Sequence, residues 1–216
     1  GIDLPGFSYY DTQNGFHIYK NDYALPMGFT FDTYVSRSQW ETYSESDRCN
    51  LLLRALVLED DAVETYQKDM QKLPDAVHQM SDEDLLAECT ERAKTACDSF
   101  TYNSKGFHAT ISTDHENLVF FSVPWEEGWS AEVNGEPVAI EKADIGFMAV
   151  PVAAGDSEIT FTYHTPGLKA GALLSLGGLV LFAGYLTVAG IYNKRHPNPK
   201  TESICCVDYS TEETAN

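Results

Sequence analysis

The amino-acid sequence predicts an α+β protein: an antiparallel, β-sandwich-like extracytoplasmic domain with inserted helices, followed by one transmembrane helix. Three observations lead there. From Phe107 to Tyr163 apolar and polar residues alternate in short runs separated by turn residues. Before that, capped stretches of helical character interrupt the chain. Near the end, Ala170–Tyr192 contains no charged residue, and at about 1.5 Å per residue it reaches roughly 34 Å, enough for a bilayer core of about 30 Å.

Taken in order, Phe16–Lys20 reads as a strand closed by the turn-forming pair Asn21-Asp22. Gly28–Val35, rich in β-formers, reads as a single second strand. Ser44-Glu-Ser-Asp47 has the capping pattern and introduces an apolar helix through Cys49–Glu59, with Glu59-Asp60-Asp61 as its solvated exit. Residues 62–80 are polar and only weakly periodic, interrupted by Pro74. Ser81-Asp-Glu-Asp84 is a second capping box, opening a helix through Phe100 with Leu85, Leu86, Cys89, Ala93 and Cys97 on one face. Beyond Phe107 follow strands at Leu118–Val123, at Ala131 and Val133, at Val138 and Ile140 after the hairpin turn Asn134-Gly135, at Phe147–Val152, and at Ile159–Tyr163. The chain divides into a mixed part (1–106) and an antiparallel β part (107–165) of the extracytoplasmic domain, a membrane helix (168–192) and a cytoplasmic tail (193–216).

The formal charge is −19, and Gly1–Lys169 alone holds 11 basic against 29 acidic residues, a net −18. Such a surface repels phosphate backbones and excludes nucleic acid as a partner. Cys89 and Cys97, eight residues apart on the expected helix, lie about 12 Å apart, beyond disulfide reach. An odd number of cysteines before the membrane run argues for buried free thiols rather than a disulfide framework. Cys205-Cys206 read as part of an ordinary tail, with acylation or metal binding as the sharper alternatives.

Lys194, Arg195 and His196 directly follow the apolar run, whereas only Lys169 stands near it on the other side. The positive-inside rule then places 193–216 in the cytoplasm and 1–165 outside. Gly171, Ser175 and Gly178 form a small-residue stripe suited to packing against other membrane helices. No L-P-x-T-G precedes the run, which rejects cell-wall anchoring. The chain starts without Met or an export signal, so we expect further protein upstream.

Several segments in order resemble the C-terminal region of the YfhO family of bacterial membrane proteins. They are Asn21-Asp-Tyr-Ala-Leu-Pro-Met-Gly-Phe29, Val123-Pro-Trp-Glu-Glu-Gly-Trp129, Val133-Asn-Gly135, Gly146-Phe-Met148, Gly155 leading into Ile159–Tyr163, and Pro166-Gly-Leu-Lys169 before the apolar run. Trp125 stands where the family has tyrosine, and Ser157 where it often has histidine. The resemblance implies a multi-pass protein of the bacterial plasma membrane with a GT-C glycosyltransferase fold. It implies transfer of a sugar from a polyprenyl-phosphate carrier to a cell-envelope polymer such as lipoteichoic acid. It also implies upstream transmembrane helices as partners and a catalytic carboxylate upstream. We expect no cofactor in this fragment, and a divalent cation in the parent protein would reconcile the acidic domain with a polyphosphate acceptor. The rival reading is a single-pass, membrane-anchored binding module without catalysis.

We assign no catalytic residue and no metal ligand in this chain. Trp125 and Trp129 flank Glu126 and Glu127 on an expected turn, where indoles stack on a sugar ring and carboxylates bind its hydroxyls. Alternatively both tryptophans plug the sandwich edge. Asp114-His115-Glu116 offers three metal-ligand side chains in a row, but consecutive residues rarely converge on one ion and a polar hairpin loop accounts for them. The carboxylate pairs Glu126/Glu127 and Asp60/Asp61 lack the separation that glycoside hydrolysis needs.

Overall fold

A computed structural model describes residues 6–74 and 80–196. The chain forms two compact units, Gly1–Pro166 and Gly167–Asn216. The first opens with a hairpin, β1 (Phe7–Gln13) and β2 (Phe16–Asn21), joined by Asn14-Gly15. Both turn residues have positive φ, 52° and 82°, as a two-residue type I′ turn requires. These two strands pair only with each other.

The remaining elements of this unit build two packed sheets. They are β3 (Phe29–Thr30), β4 (Thr33–Ser36), α1 (Arg37–Thr42), α2 (Glu45–Leu51), β5 (Leu56–Leu58), α3 (Asp60–Tyr66), β6 (Gln71–Lys72) and α4 (Asp82–Lys94). There follow β7 (Ser99–Asn103), β8 (Gly106–Thr113), β9 (Asn117–Pro124), β10 (Trp129–Val133), β11 (Glu136–Val138), β12 (Glu141–Ala143), β13 (Phe147–Val152) and β14 (Gly155–Tyr163). One sheet has the order β11-β10-β14-β8-β7 and is antiparallel throughout. The other runs β3-β9-β13-β12-β5-β4-β6. It is antiparallel except where β4 pairs parallel with β5 and β6.

The expected sandwich is present. Phe107, Ala109, Ile111, Ile159 and Phe161 of the first sheet meet Val119, Phe121, Met148, Val150 and Val152 of the second in one buried cluster. Phe107 and Phe161 stack with ring centroids 4.4 Å apart. A second cluster lies on the other face of β9 and β13, where Leu118, Phe120 and Ala149 pack against Phe29, Phe31, Leu56 and Leu58. Only Phe31 and Asp32 separate β3 from β4, yet these strands stand first and sixth in the sheet order. The sheet must therefore curl to bring both to the same short link, and this second cluster fills the curl.

Three local expectations are corrected. Gly28–Val35 is not one strand, because the chain leaves one end of the curled sheet after Thr30 and re-enters near the other at Thr33. The helix expected through Glu59 stops at Leu51, and Leu56–Leu58 is instead a fully buried strand between β12 and β4. A short all-apolar run suits either a buried helix or a two-sided strand, and here the pairing partners decide. Glu59-Asp60-Asp61 consequently opens α3 rather than ending a helix, with its acids at the positive end of the helix dipole.

The third correction concerns α4. Its capping box forms as expected, with Ser81 Oγ accepting from the Asp84 N–H at 3.2 Å and Asp84 Oδ2 accepting from the Ser81 N–H at 3.0 Å. The helix ends at Lys94, however, and Ser99–Phe100 begin β7. The cause lies beyond the helix. The Cys97 N–H donates to the Gly28 carbonyl at 2.8 Å, and Ala96 bridges Phe29, so the chain is drawn into the sheets. The buried residue of α4 is Arg92, not a member of the expected apolar face. Its Nη1 donates to the Thr30 carbonyl at 2.6 Å, and its guanidinium lies 5.0 Å from the Phe31 ring.

Cys97 is half-buried, and burial pushes its thiol up to about 12, which keeps it neutral and unreactive. Cys49, by contrast, is exposed. Cys205 and Cys206 lie outside the described residues. The second unit contains α5 (Leu168–Arg195), long and apolar enough to cross a membrane. None of its side chains is buried, and Lys194 and Arg195 fall in its last turn.

One ionisable group sits deep in the first unit. Asp144 follows β12 with φ 45°, and the next residue, Ile145, has φ 74°, a conformation costly for a β-branched side chain. The Asp144 carboxylate accepts the Val57 N–H at 2.9 Å, and its own N–H donates to the Val57 carbonyl at 2.9 Å. Burial raises its pKa from 3.8 to about 7, against the smaller lowering effect of the Val57 hydrogen bond. Because the folded state holds this proton more tightly, the stabilisation it brings is full below about pH 4. It declines as the pH rises and is gone above about 7. The loss is on the order of 4 kcal/mol. Asp144→Asn keeps an acceptor for Val57 and removes the ionisation. We expect this variant to unfold at a higher temperature than wild type at pH 8 and to show a flatter stability profile between pH 4 and 7, measured by thermal denaturation.

Candidate aromatic groove at the sandwich end

The turn between β9 and β10 carries the chain from one sheet to the other. The Trp125 N–H donates to the Gly146 carbonyl at 2.8 Å, and the Trp129 N–H to the Glu126 carbonyl at 3.2 Å. The Gly128 carbonyl accepts the His164 N–H at 2.8 Å. A β-carbon at Gly128 would lie 2.6 Å from the His164 carbonyl oxygen and 2.6 Å from the Tyr163 ring, so glycine is required by close approach. This turn starts β10 at Trp129, directly opposite Tyr163 of β14.

Trp129 consequently stands in an aromatic corner. Its ring lies 5.0 Å from Tyr163 and 5.6 Å from Phe107, both edge-on. Beside it opens a groove of about 590 Å³, walled mainly by Met27, Phe100, Tyr102, Val123 and Trp129, with Glu126 and Lys105 among its polar members. The Tyr163 hydroxyl donates to Glu126 Oε2 at 2.7 Å. That hydrogen bond holds the tyrosine hydroxyl pKa above its ordinary value. The groove thus presents flat apolar walls with one charge-assisted pair among them, the combination that concave ligand sites use.

Of the four residues singled out in the sequence, the structure brings Glu126 and Trp129 to the groove. Trp125 does not line it. It is half-buried against the sandwich core, with the Lys142 ammonium 3.9 Å from its ring. Glu127 is exposed and outside the groove. Tyr163, Phe100, Tyr102 and Met27 were not singled out. Alternation along β14 marks Tyr163 as sharing a face with Ile159 and Phe161, and that signal becomes specific only with the β10–β14 pairing known.

Asp114-His115-Glu116 forms the β8–β9 loop, as expected. His115 Nε2 faces Asp32 at 3.8 Å, while Glu116 faces Lys68 at 3.7 Å, so these two side chains diverge. Among the described residues no group of three His, Cys, Asp or Glu side chains is placed to hold a metal ion. Asp60 and Asp61 serve local structure: Asp60 accepts from the Ser38 N–H and hydroxyl, and Asp61 from the Ala62 N–H. Of the remaining histidines, His108 pairs with Glu158 at 2.8 Å and His17 bonds Thr12 at 2.8 Å. His78 lies outside the described residues.

Comparison with known proteins meets the chain in this region. The family described as "Bacterial membrane protein YfhO" matches residues 75–175. This stretch belongs to the YfhO family. The uncharacterized protein YfhO of Bacillus subtilis (strain 168) is 30% identical over 121 residues, which cover 56% of this chain and 13% of that protein. No solved structure matches the chain. The YfhO stretch contains every groove residue named above except Met27, together with the first residues of α5.

Gly128→Ala tests the packing of the turn. The added methyl meets backbone and ring at 2.6 Å, and overpacking of this kind costs about 1–3 kcal/mol. We expect a lower midpoint in chemical denaturation with an unchanged slope.

Proposed function

We propose that this chain is the C-terminal part of a multi-pass glycosyltransferase of the bacterial plasma membrane, and that its sandwich domain holds the acceptor glycan. In this reading the parent protein takes a sugar from a polyprenyl-phosphate carrier and transfers it to an envelope polymer such as lipoteichoic acid. The carboxylate that drives transfer lies outside this chain. Helix α5 crosses the membrane with Lys194 and Arg195 at the cytoplasmic side, leaving residues 1–165 outside and 193–216 inside. Its small residues Gly171, Ser175 and Gly178 pack against the upstream membrane helices.

The observation that carries the reading is the aromatic groove. Apolar faces of a pyranose stack on indole and phenol rings, and Glu126, held by Tyr163, accepts from sugar hydroxyls. The groove's volume of about 590 Å³ falls within the range of small-molecule sites. The domain's −18 charge repels a polyphosphate chain, so contact runs through sugar rings, with cationic substituents or a divalent cation in the parent protein offsetting the phosphates.

The residues divide cleanly for a test. With the chain in nanodiscs, Trp129→Ala is expected to weaken binding of oligosaccharide fragments of the envelope polymer at least tenfold by calorimetry. Trp125→Ala, outside the groove, is expected to change it less than twofold. Equal binding by wild type and Trp129→Ala would remove the groove from the function. Loss on Trp125→Ala alone would move the site to the opposite side of the turn.

A further inference from the structure

A second cavity, of about 260 Å³, opens at the other end of β8. Gly106 lines the aromatic groove and Ser112 lines this cavity, six residues along one strand, or roughly 20 Å. Three segments wall it: the β3–β4 link with Thr30 and Asp32, the end of α4 with Lys94, and the β8–β9 hairpin with Asp114, His115 and Asn117. Every residue lining it is polar, beside a core as apolar as that around Phe29 and Phe31.

The hydrogen-bonding groups here are incompletely used. Thr30 is only 5% exposed, its N–H donates to the Thr95 carbonyl at 3.2 Å, and its carbonyl accepts from Arg92 and from the Thr95 hydroxyl. Its own hydroxyl has no hydrogen-bond partner among the described residues and is left to face the cavity that Thr30 lines. His115 Nε2 is 3.5 Å from Asn117 Nδ2 and 3.8 Å from Asp32 Oδ1, both too long for strong hydrogen bonds. The Thr30 hydroxyl and the His115 ring are thus held beside a gap, while Lys94 pairs with Glu91 at 2.6 Å and the Thr113 hydroxyl donates to the Ala153 carbonyl at 3.1 Å.

The chemistry of the gap narrows its occupant. Asp32 and Asp114 outweigh Lys94 when His115 is neutral, and the carbonyl end of α4 adds negative potential, so an anion is disfavoured. Lys94, though paired with Glu91 at 2.6 Å, keeps an ammonium in the wall beside any compact organic cation, and no three metal ligands converge among the described residues. A neutral molecule with several hydroxyls meets all the groups at once, donating to the carboxylates and accepting from the ammonium, amide and hydroxyl donors. The volume lies below the about 300 Å³ at which drug-sized sites begin, which limits the occupant to one ring or a short chain.

We propose that this cavity binds one uncharged polyhydroxylated unit, a monosaccharide or a short polyol, independently of the aromatic groove. It does not rest on the glycosyltransferase reading. Saturation-transfer NMR on the full chain in nanodiscs, with glucose and with glycerol, tests it and separates the ring from the linear source. We expect transfer to at least one of them, reduced at least fivefold by Thr30→Val, which keeps the β-branched shape, and by Asp114→Asn on the exposed loop. Trp129→Ala is expected to leave this signal unchanged even if it abolishes oligosaccharide binding in the groove. If Thr30→Val fails to fold, Asp114→Asn decides alone. Transfer to neither polyol, transfer indifferent to the folded variants, loss of the signal in Trp129→Ala, or stronger transfer to tetramethylammonium than to either polyol would overturn the proposal.

Discussion

Strands β9 and β13 bury both of their faces, and the rest of the domain is arranged around that constraint. Phe120 points into the curled-sheet cluster, 5.4 Å from Phe29, while its neighbour Phe121 points the other way, 5.1 Å from Phe107 and 5.3 Å from Phe161. Met148 and Val150 join the sandwich cluster and Ala149 the other. Two hydrophobic clusters therefore share one pair of strands as their common wall. Close packing transmits any shift of that wall to both sides at once. Helix α3, the parallel strands and the five-stranded sheet keep water from its two faces, while Trp40 of α1 and Leu51 of α2 pack with Val35 and Val57 in a separate cluster.

The same arrangement sets where binding surfaces form. Alternate side chains in the middle of β8 and β14 are committed to the sandwich core, and the two concavities described above open at strand ends. At one end the β9–β10 turn, tightened by Gly128, brings Trp129 beside Tyr163 and leaves aromatic walls open. At the other, the β8–β9 hairpin meets the link between β3 and β4, where the curl of the sheet leaves a wholly polar recess. One end offers flat apolar area and the other hydrogen-bonding groups, and both sit on rigid strands rather than long loops.

The YfhO match, residues 75–175, takes in the groove and the start of the apolar helix but not the early strands of the curled sheet. The segment that carries those strands supplies Met27 to the groove and Thr30 and Asp32 to the polar recess. Up to Pro166, the family stretch and the segment before it thus belong to one compact unit, joined through β12 to β5 and β3 to β9.

Much was decided by local sequence. The N-cap at Ser44, the capping box at Ser81, the Asn134-Gly135 hairpin, the strand Phe147–Val152 and the apolar helix after Gly167 follow from residue chemistry within a few positions, so they were legible without a fold. Of the groove, the turn from Val123 to Trp129 was legible, because tryptophan, glutamate and glycine in that order signal an exposed aromatic turn. Its other wall was not. Phe100 read as a helix end, and the Cys97–Gly28 hydrogen bond, the Ala96–Phe29 bridge and pairing with β8 draw it into a strand. Leu56–Leu58 read as helix for the same reason, since an apolar triplet carries no period, and its partners lie in β12 and β4, far along the chain. Trp125 and Trp129 looked equivalent, four residues apart, until strand pairing sent one toward Lys142 and the other toward Tyr163. Periodicity and capping are short-range and written in the chain itself, whereas which strand lies beside which, and so which side chains share a cavity, is settled by burying two hydrophobic faces at once.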